Sequence, residues 1–214
     1  MPTTTRATVR QYWVAIRAMI VLTAGLGIVY PLVITGIGQL AFHSQANGSK
    51  VTDAGTTVGS SLIGQSFTDK KGDPLTQWFQ TRPSAATTNS PNGYDANASS
   101  GSNYGPNNPT LVNEIKARQK TIETTYGVTA SQIPADAVTA SGSGLDPDIS
   151  IAYAKLQEAK VAETRGISEA SVAKLVKANT HGRDLGYLGQ PYVNAVQLNL
   201  DLAKMDPAGN NSGK

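Results

Sequence analysis

Hydrophobic positions crowd toward one end of this chain. Ala18 to Phe42 reads AMIVLTAGLGIVYPLVITGIGQLAF, 25 residues without a formal charge. As a helix rising about 1.5 Å per residue, it reaches about 37 Å and can cross the roughly 30 Å of bilayer hydrocarbon with some tilt. The pattern therefore predicts one transmembrane helix over 18–42. Beyond it the texture changes. Between Val51 and Phe79, the apolar residues Val58, Leu62, Ile63 and Phe67 sit among glycines at 55, 59, 64 and 72, which suits short strands and turns. Thr81 to Thr110 has no Val, Ile, Leu, Met, Phe or Trp, and its only charged residues are Arg82 and Asp95. Such a stretch cannot build a core and reads as a long Gly/Asn/Ser/Pro-rich loop.

Helical periodicity returns at Pro109 to Tyr126. Asn108 can cap this helix, Pro109 suits its first position, Leu111, Ile115, Ile122 and Tyr126 share a face, and Gly127 ends it. Asp146-Pro147-Asp148 repeats the start signal for a helix running to about Arg165. Ser168 opens a third helix with Val172, Leu175 and Val176 on its apolar side, ending near Asn179 to Gly182. Val196, Leu198, Leu200 and Leu202 then alternate with Gln197, Asn199 and Asp201, the period of a half-buried strand that would rejoin the earlier sheet. The fold class expected is α+β: an N-terminal transmembrane helix followed by a compact extracytoplasmic domain with a long loop at 81–110.

Charge orients this arrangement. Every charge before the span is an arginine, Arg6, Arg10 and Arg17, which places residues 1–17 as a basic cytoplasmic tail and 43–214 on the outer side of the membrane. The net charge of +3 belongs to that tail, because acidic and basic residues balance elsewhere. No basic footprint for nucleic acid remains. Ser44-Gln45-Ala46 loosely resembles a signal-peptidase site, but the apolar run far exceeds a signal sequence's core of about 7 to 15 residues, so the span reads as retained. With no cysteine there is no disulfide, thiolate nucleophile or Cys-ligated metal.

Within the span, Thr23, Gly27, Pro31 and Thr35 recur every four residues and form a stripe of small or ring-constrained side chains on which another helix can pack. Pro31 is expected to kink the helix. In the long loop, Arg82, Tyr94 and Tyr104 are the candidate anchoring side chains, whether the loop binds a partner or serves as a flexible linker.

Self-contained chemistry is hard to find. Gly142-Ser143-Gly144 lacks the spacing and following lysine of a phosphate-binding loop, and no Asp-Lys-Thr-Gly run is present to carry an aspartyl phosphate. His43 and His181 are too few for a histidine-based metal site. Asp146 and Asp148 read as a cap and a first-turn carboxylate rather than an acid/base pair. A hydrolase built on His181 and Asp184 remains an alternative, although no Gly-x-Ser-x-Gly elbow accompanies it; His181 also reads as a helix-terminal residue beside Arg183. A helix-turn-helix regulator at 161–172 is a weaker one, since its second helix carries only Lys174 and Lys177. No catalytic, metal or cofactor residue is assigned.

Several strings are distinctive in themselves: Tyr30-Pro31-Leu32, Gln45-Ala46-Asn47-Gly48-Ser49, Gly59-Ser60-Ser61-Leu62-Ile63-Gly64-Gln65, Phe79 with Arg82-Pro83-Ser84-Ala85, and Gly101-Ser102-Asn103. Later come Ile133-Pro134, Val138 through Asp146, Leu188-Gly189-Gln190-Pro191, and Val193-Asn194 through Leu200. In this order they resemble the KdpC family, the C subunit of the bacterial potassium-transporting P-type ATPase complex KdpFABC. Asp69 to Gln77 looks longer than the family's usual link before its aromatic pair, here Trp78-Phe79, and the tail beyond Leu202 looks individual. The resemblance implies an accessory subunit beside a channel-like potassium-binding subunit, an ATP-hydrolysing P-type subunit and a small single-span subunit. It implies roles in assembly and as a catalytic chaperone raising ATP affinity, with ATP and Mg at the P-type partner.

Overall fold

A computed structural model describes residues 3–211, so Met1 and Pro2 of the basic tail and residues 212–214 of the C-terminal tail lie outside the described residues. The chain divides into two compact units, 1–49 and 50–214. The fold is α+β, with one N-terminal helix long and apolar enough to span a membrane, Thr8–Ala41.

The first unit is helical from Thr3, well before Ala18, so Arg10 and Arg17 ride on the same rod as the apolar segment. It comprises α1 (Thr3–Ala24), a π-helical turn (Gly25–Val29), α2 (Tyr30–Ala41) and the short α3 (His43–Ala46). The π-turn follows from Pro31. A proline has no N–H to donate and its ring crowds the carbonyl four residues back, here that of Gly27. The backbone widens instead, and the Tyr30 N–H donates to the Gly25 carbonyl, five residues back. Near the N-terminal end the Arg17 guanidinium lies over the Trp13 ring at 5.1 Å, a pairing of the kind found at membrane–water interfaces.

The second unit begins with the antiparallel hairpin β1 (Lys50–Asp53) and β2 (Thr56–Ser60). A long irregular path leads to α4 (Pro109–Tyr126), opened by the Asn108 side chain accepting from the Thr110 N–H and closed by left-handed Gly127. Short α5 (Ala135–Val138) and β3 (Asp148–Ile149) follow, then α6 (Ile151–Arg165) and α7 (Glu169–Ala178), capped by Ser150 and Ser168. The chain continues through β4 (Thr180–His181), β5 (Tyr192–Asn194) and α8 (Ala195–Met205). Strand β5 lies between β3 and β4, antiparallel to both. The core gathers Phe79, Tyr153, Val161, Val172, Val176, Leu198 and Leu202, with α6 and α8 the largest contributors.

Two expectations fail here. The segment predicted as a strand over 196–202 is helix α8. Its alternating aliphatics also fall at i,i+4 pairs, 196 with 200 and 198 with 202, and the helix buries two faces, including Asn199. Asn194 supplies the cap, accepting from the Gln197 N–H at 3.0 Å. The helix expected to start at Asp146-Pro147-Asp148 starts at Ile151 instead, because Asp148 and Ile149 pair with β5 and Ile149 enters the core.

Asn199 has a structural task. Its Oδ1 accepts from the Phe79 N–H and its Nδ2 donates to the Phe79 carbonyl, both at 2.9 Å. On α6, Gln157 treats Gln80 in the same way, accepting from its N–H at 2.6 Å and donating to its carbonyl at 3.2 Å. Arg165 donates from Nε to the Gln77 carbonyl at 2.7 Å while its guanidinium lies 4.5 Å over the Trp78 ring. The Gln77–Gln80 segment is thus held by side chains of two helices rather than by a sheet.

Candidate functional site

The loop at 81–110 is neither a linker nor coreless. Ala86 is fully buried and Asp95 is nearly so. Asp95 accepts from the Asn97 N–H and from both the N–H and side-chain amide of Asn89, and the Asn97 bond above all holds its carboxyl below the usual range. The loop closes against the turn at 141–146. The Ser84 hydroxyl donates to the Gly144 carbonyl at 2.6 Å and accepts from the N–H groups of Ala86 and Tyr94. Gly144 is left-handed at φ +67, and a Cβ there would land on the Ser100 carbonyl oxygen and 2.9 Å from the Ala86 nitrogen. Gly64 allows an equally close approach, since a Cβ would strike the Tyr94 ring and lie 2.8 Å from the Asp146 carbonyl oxygen.

Arg82 and Tyr94 meet at this seam. Arg82 Nη1 donates to Asp146 Oδ2 at 3.1 Å, an ion pair about a quarter exposed on both sides. The Tyr94 hydroxyl donates to the Arg82 carbonyl at 2.8 Å. Burial pushes the Tyr94 phenol up to about 12, so it stays a neutral donor at any ordinary pH. Tyr104 is not part of the cluster: it is 38% exposed. Asp146 and Ser84 were the members that sequence reasoning missed as partners of Arg82 and Tyr94. Only their place in the distinctive strings hinted at them, since contacts across some sixty residues carry no local signal.

Asp146 is a hinge of the seam rather than a helix cap. One oxygen takes Arg82 and the other accepts from the Asp148 N–H at 3.0 Å. Asp148 is half-buried; burial first, and the neighbouring Asp146 charge second, raise its carboxyl to about 6, while Asn194 donates to it at 3.1 Å. His181 lies on strand β4, not at a helix end, and stacks on Tyr192 with ring centroids 4.8 Å apart. Among the described residues no hydrogen bond joins it to Asp184 or to a serine, so the hydrolase geometry is not assembled. In the segment weighed as a helix-turn-helix, Arg165 is buried under the C-terminal tail, donating to the Asp206 carbonyl at 2.9 Å.

In the first unit, Thr23, Gly27, Pro31 and Thr35 lie on the α1–π–α2 rod, and a Cβ on Gly27 would sit 3.8 Å from Thr23 Cγ2, so these two share a face. No described residue of the rod between Thr8 and Ala41 is buried by the chain itself.

Comparison with known proteins fits both units. The family described as "KdpC: K+-transporting ATPase, c chain" matches residues 12–204. A potassium-transporting ATPase KdpC subunit from Gemmatimonas aurantiaca is 50% identical over 191 residues, covering 87% of this chain and 91% of that protein. Its counterpart from Methylococcus capsulatus is 47% identical over 188 residues, covering 88% and 94%. That from Mycobacterium tuberculosis is 45% identical over 197 residues, covering 92% and 99%. A match running from the apolar rod to the end of α8 at such identity places this chain in the KdpC family, the C chain of the K+-transporting ATPase.

Proposed function

We propose that the chain is the accessory, non-catalytic subunit of an ATP-driven potassium uptake pump, docked to its sister subunits through the stripe Thr23, Gly27, Pro31 and Thr35. On this reading the N-terminus is cytoplasmic, the rod crosses the inner membrane once, and the α+β domain lies outside. The partners are the channel-like potassium-binding subunit, the ATP-hydrolysing P-type subunit and the small single-span subunit. ATP and Mg belong to the P-type partner.

The observation that carries the docking is the π-turn. At about 100° per residue, the twelve steps from Thr23 to Thr35 in an uninterrupted α-helix overshoot three turns by about 120°, wrapping the stripe a third of the way round. A π-turn absorbs one residue without advancing the helix, which cuts the overshoot to about 20°. The four residues then form a straight seam that lets a neighbouring backbone approach closely.

The proposed roles are support of assembly and a catalytic-chaperone effect that raises the ATP affinity of the P-type subunit. With the domain outside, that effect reaches the nucleotide through helix packing, as a coupling of about 1–3 kcal/mol. The test is Gly27→Ile, co-expressed with the partner subunits. The expected result is loss of the assembled complex, or, where complex survives, a raised KM for ATP. Wild-type yield with unchanged KM would refute the docking.

A further inference from the structure

A cavity of about 320 Å³ opens between α4, α6 and the 66–94 segment, at the lower end of the range for small-molecule sites, about 300–1,000 Å³. Two almost fully buried side chains bring unengaged polar atoms to its wall. Tyr153 is 3% exposed; its backbone N–H donates to Ser150 Oγ, and its hydroxyl has no side-chain or carbonyl partner among the described residues. Gln80 is 7% exposed; its Nε2 donates to the carbonyls of Leu75 and Trp78, while its Oε1 accepts from no described residue. One group can donate or accept and the other accepts.

The charges of the wall are already balanced, although Arg82 Nε is buried with no hydrogen-bond partner among the described residues. Arg82 pairs with Asp146 at 3.1 Å and Arg118 with Glu114 at 2.9 Å. An anion entering here would find no uncompensated positive charge, whereas the free Arg82 Nε–H can donate to a neutral oxygen. The spare valences instead match an alcohol, whose oxygen accepts from Tyr153 and whose hydrogen is donated to Gln80 Oε1. Tyr94 and Tyr126 line the same cavity and offer apolar contact to a carbon skeleton.

From this arrangement we propose that the cavity is a binding site for a small, neutral, hydroxyl-rich molecule of the sugar or polyol class. Such a ligand joins α4 to α6 and to the 81–110 loop, so its presence reports on the external domain independently of the docking of the span.

The test titrates the full-length chain in detergent with D-glucose, myo-inositol and glycerol, and with acetate and inorganic phosphate as anionic probes, read by saturation-transfer NMR. Saturable binding of at least one neutral probe and of neither anion is expected. Tyr153→Phe, which keeps the ring and its packing, should weaken that binding about tenfold with little change in melting temperature. Thr121→Phe, on the exposed face of α4 at the cavity wall, should block it by filling the space. Binding of the anions instead, binding of no probe, or wild-type affinity in Tyr153→Phe would overturn the proposal.

Discussion

The rod and the 81–110 loop reverse what their compositions suggest. Beyond Arg17 the rod carries no charge and is mostly apolar, yet Leu22, Leu26, Ile28, Leu32, Ile37 and Leu40 are each about half exposed or more. The loop has no Val, Ile, Leu or Met, yet it seals Ala86 and Asp95 inside a web of hydrogen bonds centred on Ser84. Apolar residues are satisfied only by surroundings the chain does not supply, namely lipid or another helix. Polar ones can be satisfied within the chain when glycines let backbones close on one another. A substitution in the rod should therefore be felt in assembly, and one in the loop in the stability of the domain.

The largest expected effect is that of Gly27→Ile. Pull-down of the co-expressed complex should fall more than about tenfold, since a lost close-packed contact of 1.4 kcal/mol or more costs about that factor. The melting of the α+β unit should stay as it was; a unit that melts lower would erase the contrast. Next, Gly144→Ala should destabilise the domain by about 3 kcal/mol in chemical denaturation, from a strained left-handed alanine and a collision with the Ser100 carbonyl. Assembly of the folded fraction should be unchanged.

Asp148 sharpens the picture through pH. Its native carboxyl, at about 6 against the ordinary 3.8, holds its proton more tightly than the unfolded chain does. Its contribution is therefore most favourable below about pH 4, declines as pH rises through about 6, and is flat above. Asp148→Asn should remove this slope and raise stability at neutral pH, by no more than about 2 kcal/mol because the half-exposed group is screened. Denaturation at pH 4 and pH 7 measures it. Smallest of all, Tyr104→Ala should change domain stability by less than about 0.5 kcal/mol, because its exposed ring stands apart from the seam. A larger loss on denaturation would place Tyr104 in the packing of the loop.

How legible each element was follows from where its determinants lie. Helix α4 could be read in full because Asn108, Pro109 and Gly127 are local signals that act within one turn. The apolar segment was legible by length, but its N-terminal extension to Thr3 was not, since Arg10 and Arg17 interrupt the hydrophobic run without breaking a helix. α8 was misread because aliphatics at 196, 198, 200 and 202 satisfy a period of two and also i,i+4 pairing; the Asn194 cap was the signal that decides between them. The seam of Arg82, Ser84, Tyr94 and Asp146 could be named only in part. Its contacts to Asp146 and Gly144 link positions more than fifty residues apart, and no periodicity encodes that distance.

The amide side chains that hold Phe79 and Gln80 have a consequence for association between molecules. In an extended strand, the N–H and C=O of one residue point to one side and those of the next residue to the other. Asn199 occupies both groups of Phe79 and Gln157 both groups of Gln80, so in this irregular stretch the backbone polar groups of the two residues are engaged within the chain. A lone strand would ordinarily offer a template to a neighbouring chain. Here two helices withhold the backbone of Phe79 and Gln80 from such pairing with one amide apiece while α6 and α8 stay in place.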